Sequence, residues 1–231
     1  MKSVDTPTNC MQCPLRSSLF ESLGRKELSC VHLNKREVVM EPGEQLVRSG
    51  DKITHFLYLQ SGLLKLFTES DSRREQIISI SRPRDFVGLL NIFSDTHHRY
   101  SMSAITDVRF CMIEVDCIKQ LVDNNGFFAR ELLKNMSIAV DHILKDSYNL
   151  RSLQMHGRVA YVLYELSTEI FGSTGFELPL SRKEVGQMVG VSTENVIRVM
   201  SEFRQDGIIR IEGKKIYVLE PERLRLLTIR G

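Results

Sequence analysis

The sequence predicts an α+β chain in three parts: an N-terminal β-roll of the jelly-roll kind, a long dimerisation helix, and a C-terminal winged helix-turn-helix. Three observations lead there. Short β-rich runs broken by turn residues fill the first half, and an apolar stripe with spacings of three and four follows it. Residues 181–199 then read SRKEVGQMVGVSTENVIRV, a capped helix, a glycine turn and a second capped helix. The expected boundaries are an N-terminal arm at 1–30, the roll at 31–125, the dimerisation helix at 126–152 and the winged helix-turn-helix at 153–231.

Composition sets the frame. A chain of 231 residues suits one or two domains, each able to bury its own core. The net charge of +2 and pI near 8.3 lie below the strongly basic level of small DNA-binding domains, so charge alone does not announce a nucleic-acid partner. No apolar run reaches the length of a membrane-crossing helix, and MKSVDTPTNC lacks a hydrophobic signal core. A soluble, cytoplasmic protein without a membrane partner is expected. Five cysteines, an odd number without regular spacing, argue against a secreted disulfide framework.

The roll is expected where β-branched and aromatic residues come in short runs. HFLYLQSGLLKLF alternates apolar residues and breaks at Gly62, while Pro42-Gly43 and Gly50-Asp51 mark turns. EQIISIS, FVGLLNIF and VRFCMIEV continue the strand pattern, consistent with a small barrel or jelly roll. Further on, Leu133, Met136, Val140, Ile143, Ser147 and Leu150 form a coiled-coil-like seam. Polar Asp141, Lys145, Asp146 and Asn149 leave that stripe narrow, which favours a dimer seam over a helix lying on its own roll. A second helix, GRVAYVLYELSTEIFG, leads towards the C-terminal part.

There, Ser181 and Glu184 make a capping box, and Val185 and Val189 give the first helix its apolar face. Gly186 allows close backbone approach, and Gly190 supplies a turn that needs φ > 0. Ser192 caps the second helix, whose inward face is Val196, Val199, Met200 and Phe203. Thr193, Glu194, Ile197 and Arg198 face outward, a pattern suited to reading base edges, with Arg182, Ser192 and Asn195 counted in the same DNA-binding set. After Gly207, IIRIEGKKIYVL reads as a hairpin wing with Lys214 and Lys215 at a basic, phosphate-facing tip.

Four segments in order, EPGEQLVRSGD with its later Gly62, DFVGLLNIF, MHGRVAYVLYEL and the helix-turn-helix with its wing, resemble the catabolite-activator/fumarate-nitrate regulator (CRP/FNR) family over nearly the whole chain. The resemblance implies a homodimeric transcription factor with a cyclic-nucleotide-binding-like roll. Its implied partners are double-stranded DNA, a second copy of itself, and RNA polymerase. Thr193 stands where the cyclic-AMP-responsive branch has arginine.

The resemblance also identifies an effector pocket, and there the chain departs from the pattern. Cyclic-nucleotide binders carry Gly-Glu and Arg-Ser pairs. Here Gly88 and Arg99 match, but Leu89 and Tyr100 occupy the Glu and Ser positions, and the adenine-contacting positions on the long helix fall at Ile143 and Leu144. Every directed hydrogen bond that these side chains cannot make withdraws about 0.5–1.5 kcal/mol of binding. Cyclic AMP is therefore not the expected effector, and the signal is left unidentified. Cys10, Cys13 and Cys111 resemble ligands of the oxygen-sensing branch's iron–sulfur cluster, but Leu19 stands at the position of the fourth, with Cys30 the nearest substitute. The C-x-x-C pair is equally consistent with a zinc half-site, a labile thiol pair or an inherited remnant, and Cys117 reads as a strand-edge or core thiol.

Haem stays open through the six histidines, although His97-His98 reads as a solvated loop tip and no C-x-x-C-H motif occurs. Two other function classes fit the residues less well. No βαβ pattern or nucleophile–base set supports an enzyme, and a purely regulatory roll that binds no DNA conflicts with the helix-turn-helix.

Overall fold

The computed structural model describes residues 1–4, 8–14, 18–69, 75–89 and 92–230. They form two compact units, Met1–Glu69 with Ile78–Asp141, and Ser70–Ile77 with His142–Gly231.

The roll consists of two sheets. One orders β1 (Lys2–Ser3), β2 (Lys35–Met40), β9 (Val108–Glu114), β4 (His55–Ser61) and β7 (Phe86–Val87), antiparallel throughout. The other orders β3 (Gln45–Val47), β8 (Ser101–Ala104), β5 (Leu64–Glu69) and β6 (Glu75–Ser81). Leu57, Leu59, Phe110 and Met112 of the first sheet share one apolar cluster with Leu64, Leu66 and Met102 of the second. Phe56 and Ile113 belong to another cluster, packed against helices. The central strands β4 and β9 are therefore buried on both faces, which explains why HFLYL reads as an almost unbroken apolar run rather than a strict alternation. Gly62, at φ +83°, turns β4 into β5 where a Cβ would meet the Asp107 carbonyl oxygen at 2.1 Å, so no other residue fits.

The helices beneath this sheet are α1 (Ser18–Glu21), α2 (Arg25–Leu33), α3 (Val115–Asn124) and the first turns of α4 (Gly126–Ser152). The expected arm at 1–30 thus contains helical structure, fixed by Leu19, Phe20 and Leu28 entering the core. Glu27 accepts a hydrogen bond from the Gly24 amide at 2.7 Å and starts α2. FVGLLNIF is not the strand that the sequence suggests. Only Phe86–Val87 pairs, because Gly88 at φ +71° turns the chain, and Leu90 and Asn91 lie outside the described residues. Cys117 sits in α3 and is buried, a core thiol and not a strand-edge one.

In the second unit, α5 (Met155–Glu165) continues into a π-helical turn at Leu166–Ile170. There the Tyr164 carbonyl also accepts bonds from the Ser167 and Thr168 hydroxyls, competition that loosens a regular ladder. Next come β10 (Gly175–Glu177), α6 (Arg182–Val189), α7 (Thr193–Gln205), β11 (Ile209–Glu212), β12 (Lys215–Val218) and α8 (Pro221–Arg230). The wing is a three-stranded antiparallel sheet, β10-β12-β11, rather than a lone hairpin. Among the described residues no helix is long and apolar enough to cross a membrane.

Candidate nucleic-acid interface

The helix-turn-helix is built from local chemistry. The Ser181 hydroxyl accepts from the Glu184 amide at 3.2 Å, and the Glu184 carboxylate accepts from the Ser181 amide at 2.9 Å, so the box that starts α6 is closed both ways. Gly190, at φ +74°, ends α6. A Cβ on Gly186 would lie 2.6 Å from the Val191 carbonyl oxygen, which shows that the turn backbone crosses directly over α6. Ser192 then caps α7 by accepting from the Asn195 amide at 3.3 Å. Arg158 of α5 braces this turn from below. It donates at 2.8 Å to the carbonyl of Leu153, just past the end of α4, and at 3.3 Å to that of Val189, an orphan group at the end of α6. Sequence reasoning missed that role, although Arg158 lies within the MHGRVAYVLYEL segment.

On α7, Val196, Val199, Met200 and Phe203 are all at most 2% exposed, while Glu194, Ile197 and Arg198 are exposed on the other side. Thr193 and Asn195 are half-buried at the first turn, as is Arg182 at the start of α6. Backbone bonding and the Ser192 hydroxyl hold the Glu194 carboxyl below the usual range, so it is an ionised acceptor at the helix N-terminus. Arg198 is held in place by Glu202 at 3.0 Å, and the other Glu202 oxygen meets His156 Nε2 at 2.5 Å. The His156 contact holds the Glu202 carboxyl low, so that it stays charged against the guanidinium. An arginine with a fixed, forked donor set is suited to paired acceptors on a guanine edge. Lys214 and Lys215 are exposed at the β11–β12 turn, and the Lys214 carbonyl accepts from the Leu178 amide at 2.9 Å, anchoring the tip.

The long helix differs in detail from the sequence-derived seam. Met136 packs against the roll core and is not on an open face. Ile143, Ser147 and Leu150 are half-buried. On the same helix Asp146 accepts from the Tyr161 hydroxyl at 2.6 Å and Lys145 pairs with Glu165 at 3.5 Å, so α5 covers that side. At 100° per residue the opposite side carries Leu133, Val140 and Leu144, exposed by 63%, 39% and 61%. The open apolar stripe is therefore rotated away from Met136 and includes Leu144, which the family pattern assigns to the effector pocket.

The remaining pocket residues take the following places. Leu89 is 3% exposed and packs in the helix-side core. Tyr100 is half-buried against the cluster between the sheets, and Arg99 pairs with Asp95 at 2.9 Å. A Cβ on Gly88 would strike the Met102 methyl at 2.7 Å. His98 is buried rather than solvated, because its backbone bonds to Asp51 and Gly50 draw it under the loop, and burial pushes its pKa down.

Cys10, Cys13 and Cys111 do converge. With Lys35 and Gln60 they line a cavity of about 30 Å³, room for roughly one water molecule. Gln60 Nε2 donates to Cys111 Sγ at 3.1 Å, and burial pushes the Cys111 thiol up to about 12 and raises Cys10 as well. A four-cysteine [4Fe–4S] cluster does not fit. Leu19, at the fourth ligand position, is fully buried in the core, and Cys30 turns instead to Cys117. Among the described residues no three His, Cys, Asp or Glu side chains are placed to hold a metal ion.

A capped recognition helix, a wing and a β-roll define a regulator that combines a sensor-type domain with a DNA-binding domain. Residues 37–125 match the cyclic nucleotide-binding domain model and residues 157–227 the Crp-like helix-turn-helix domain model. The transcriptional activator protein Anr of Pseudomonas protegens is 30% identical over 95% of this chain and 92% of its own length. A CRP-like cAMP-activated global transcriptional regulator of Mycobacterium tuberculosis is 24% identical over 90% of this chain and 95% of its own. FixK2 from Bradyrhizobium japonicum shares the fold, with a TM-score of 0.77 at 22% identity over 84% of this chain and 96% of that one. The chain belongs to the CRP/FNR family of transcriptional regulators and carries that family's helix-turn-helix DNA-binding domain.

Proposed function

We propose that this chain is a cytoplasmic homodimer that reads an inverted-repeat operator through α7 of each protomer. The observation carrying the reading is the outward face of α7, where Glu194 and Arg198 stand one turn apart with Ile197 between them. Arg198 donates to guanine, Glu194 accepts from the cytosine amino group, and Ile197 offers apolar contact to a thymine methyl. Thr193 and Asn195 flank this face, with Arg182, Ser192, Lys214 and Lys215 towards the phosphates. The open stripe of Leu133, Val140 and Leu144 supports a two-fold seam along α4. The division at 30, 125 and 152 into arm, roll, dimerisation helix and DNA-binding domain serves this reading. The relatives' description as activators supports contact with RNA polymerase.

The signal is neither cyclic AMP nor a four-cysteine cluster. Leu89 in the core supports the first exclusion and Leu19 in the core the second. Two recognition helices related by a dyad require half-sites centred about 34–36 Å apart. An operator selected from random duplexes, then titrated as a full palindrome and as one half-site, tests the assembly. Equal affinity for both would overturn it.

A further inference from the structure

The two cysteines left over from the three-thiol cavity form a site of their own. Cys30 of α2 and Cys117 of α3 lie 87 positions apart in the chain, yet their sulfurs are 3.5 Å apart. That is thiol–thiol contact within the roll unit. The two helices are also held together elsewhere, since Asn125 at the end of α3 donates to Glu27 of α2 at 2.9 Å. Val31 and Ile118 pack in the same core beside the sulfurs. Cys117 is buried, but Cys30 is half-buried and open enough for a small oxidant to reach. Asn34 Nδ2 lies 3.5 Å from the Cys30 sulfur and can donate to negative charge as it develops there.

We propose that Cys30 and Cys117 are a redox-active dithiol, and that a hydroperoxide oxidises them to a disulfide linking α2 to α3. In the first step the Cys30 sulfur attacks the terminal peroxide oxygen, the O–O bond breaks, and with hydrogen peroxide one water leaves as Cys30 becomes a sulfenic acid. In the second step the Cys117 sulfur attacks Cys30, the S–O bond breaks, and the hydroxyl leaves as water with the Cys117 proton. The two thiols lose two electrons and two protons, and the peroxide is reduced to two waters. Cys30 is half-buried and Cys117 buried, so Cys30 meets the oxidant first and Cys117, in contact with it, resolves the sulfenic acid. Linking α2 to α3 stiffens the elements that lead directly into α4.

The test is peptide mapping of the full-length protein after stoichiometric hydrogen peroxide, under non-reducing conditions. The expected product is a Cys30–Cys117 linked peptide pair, lighter by two hydrogens than the reduced pair and restored by a dithiol reductant. Cys117→Ser should leave Cys30 as a sulfenic acid trapped by a carbon nucleophile, whereas the wild-type chain should trap several-fold less. The wild-type map needs no variant, so misfolding of Cys117→Ser does not shelter the proposal. Cys117 remaining fully alkylatable in the denatured oxidised protein would overturn it. A Cys10–Cys13 or Cys10–Cys111 link as the main product would overturn it as well.

Discussion

Replacing Leu144 with alanine probes the part of the structure where the helix surface and the sequence pattern disagree most usefully. Leu144 is 61% exposed on α4, alongside Leu133 at 63% and Val140 at 39%. Burying a whole leucine side chain is worth about 1.5–3 kcal/mol, so closing an open fraction of this size is worth ~1–2 kcal/mol per protomer. A two-fold interface counts the substitution twice, which gives about 2–4 kcal/mol per dimer. At 1.4 kcal/mol per decade, the dimer dissociation constant should rise by about one and a half to three orders of magnitude. Sedimentation velocity across a dilution series measures this, with far-ultraviolet circular dichroism confirming that the helix persists. Met136→Ala should act differently, lowering the stability of the roll while leaving dimerisation of the folded protein near wild type. If Leu144→Ala dimerised within about threefold of wild type while Met136→Ala dissociated, the seam would run on the other side of α4.

Glu37 is 1% exposed and meets Lys35 at 2.7 Å and Arg109 at 2.5 Å. Burial pushes its carboxyl up, but the hydrogen bonds from Lys35 and Arg109 outweigh that and hold it below the usual range. Glu37→Gln therefore leaves two cations uncompensated and should cost ~3–5 kcal/mol at neutral pH, towards the low end because Arg109 reaches solvent. A depressed carboxyl stabilises above its unfolded pKa and loses that contribution as pH falls through the folded value. Urea midpoints should accordingly show the gap between wild type and Glu37→Gln closing below about pH 4, and a constant gap would contradict the sign. Calorimetry should show no saturable heat with micromolar cyclic AMP and no gain in operator affinity, and a matched gain in both would restore the cyclic-nucleotide site. Lys214→Ala and Lys215→Ala should each weaken specific and random duplexes alike and reduce the salt slope by about one. A selective weakening on the operator would make the wing a base reader.

The helix-turn-helix was legible because its capping and turn requirements are local. A capping box, a glycine at φ +74° and a serine cap within α6–α7 each leave their mark within a few residues. The β-roll was legible as strand runs, but FVGLLNIF misled because Gly88 turns the chain after two paired residues. The arm's helices went unseen since short segments carry little periodicity, and their reason for forming is a core 80 or more residues away, at Ile113 and Ile118. Met136 has seam spacing yet faces the roll, because periodicity identifies an apolar stripe without saying what covers it. The contacts between Cys30 and Cys117, and between Arg158 and the Val189 carbonyl, join elements whose approach no local pattern encodes.

The central claim is that α7 reads bases through Arg198, a half-exposed side chain held by Glu202 at 3.0 Å. The direct measurement is fluorescence anisotropy of wild type and Arg198→Ala on the selected operator and on random duplex, at one fixed salt concentration. Removing a bidentate pairing with guanine should cost about 1–3 kcal/mol, a drop of roughly 5- to 150-fold on the operator with little change on random DNA. An equal drop on both duplexes would contradict the account and make Arg198 a phosphate clamp.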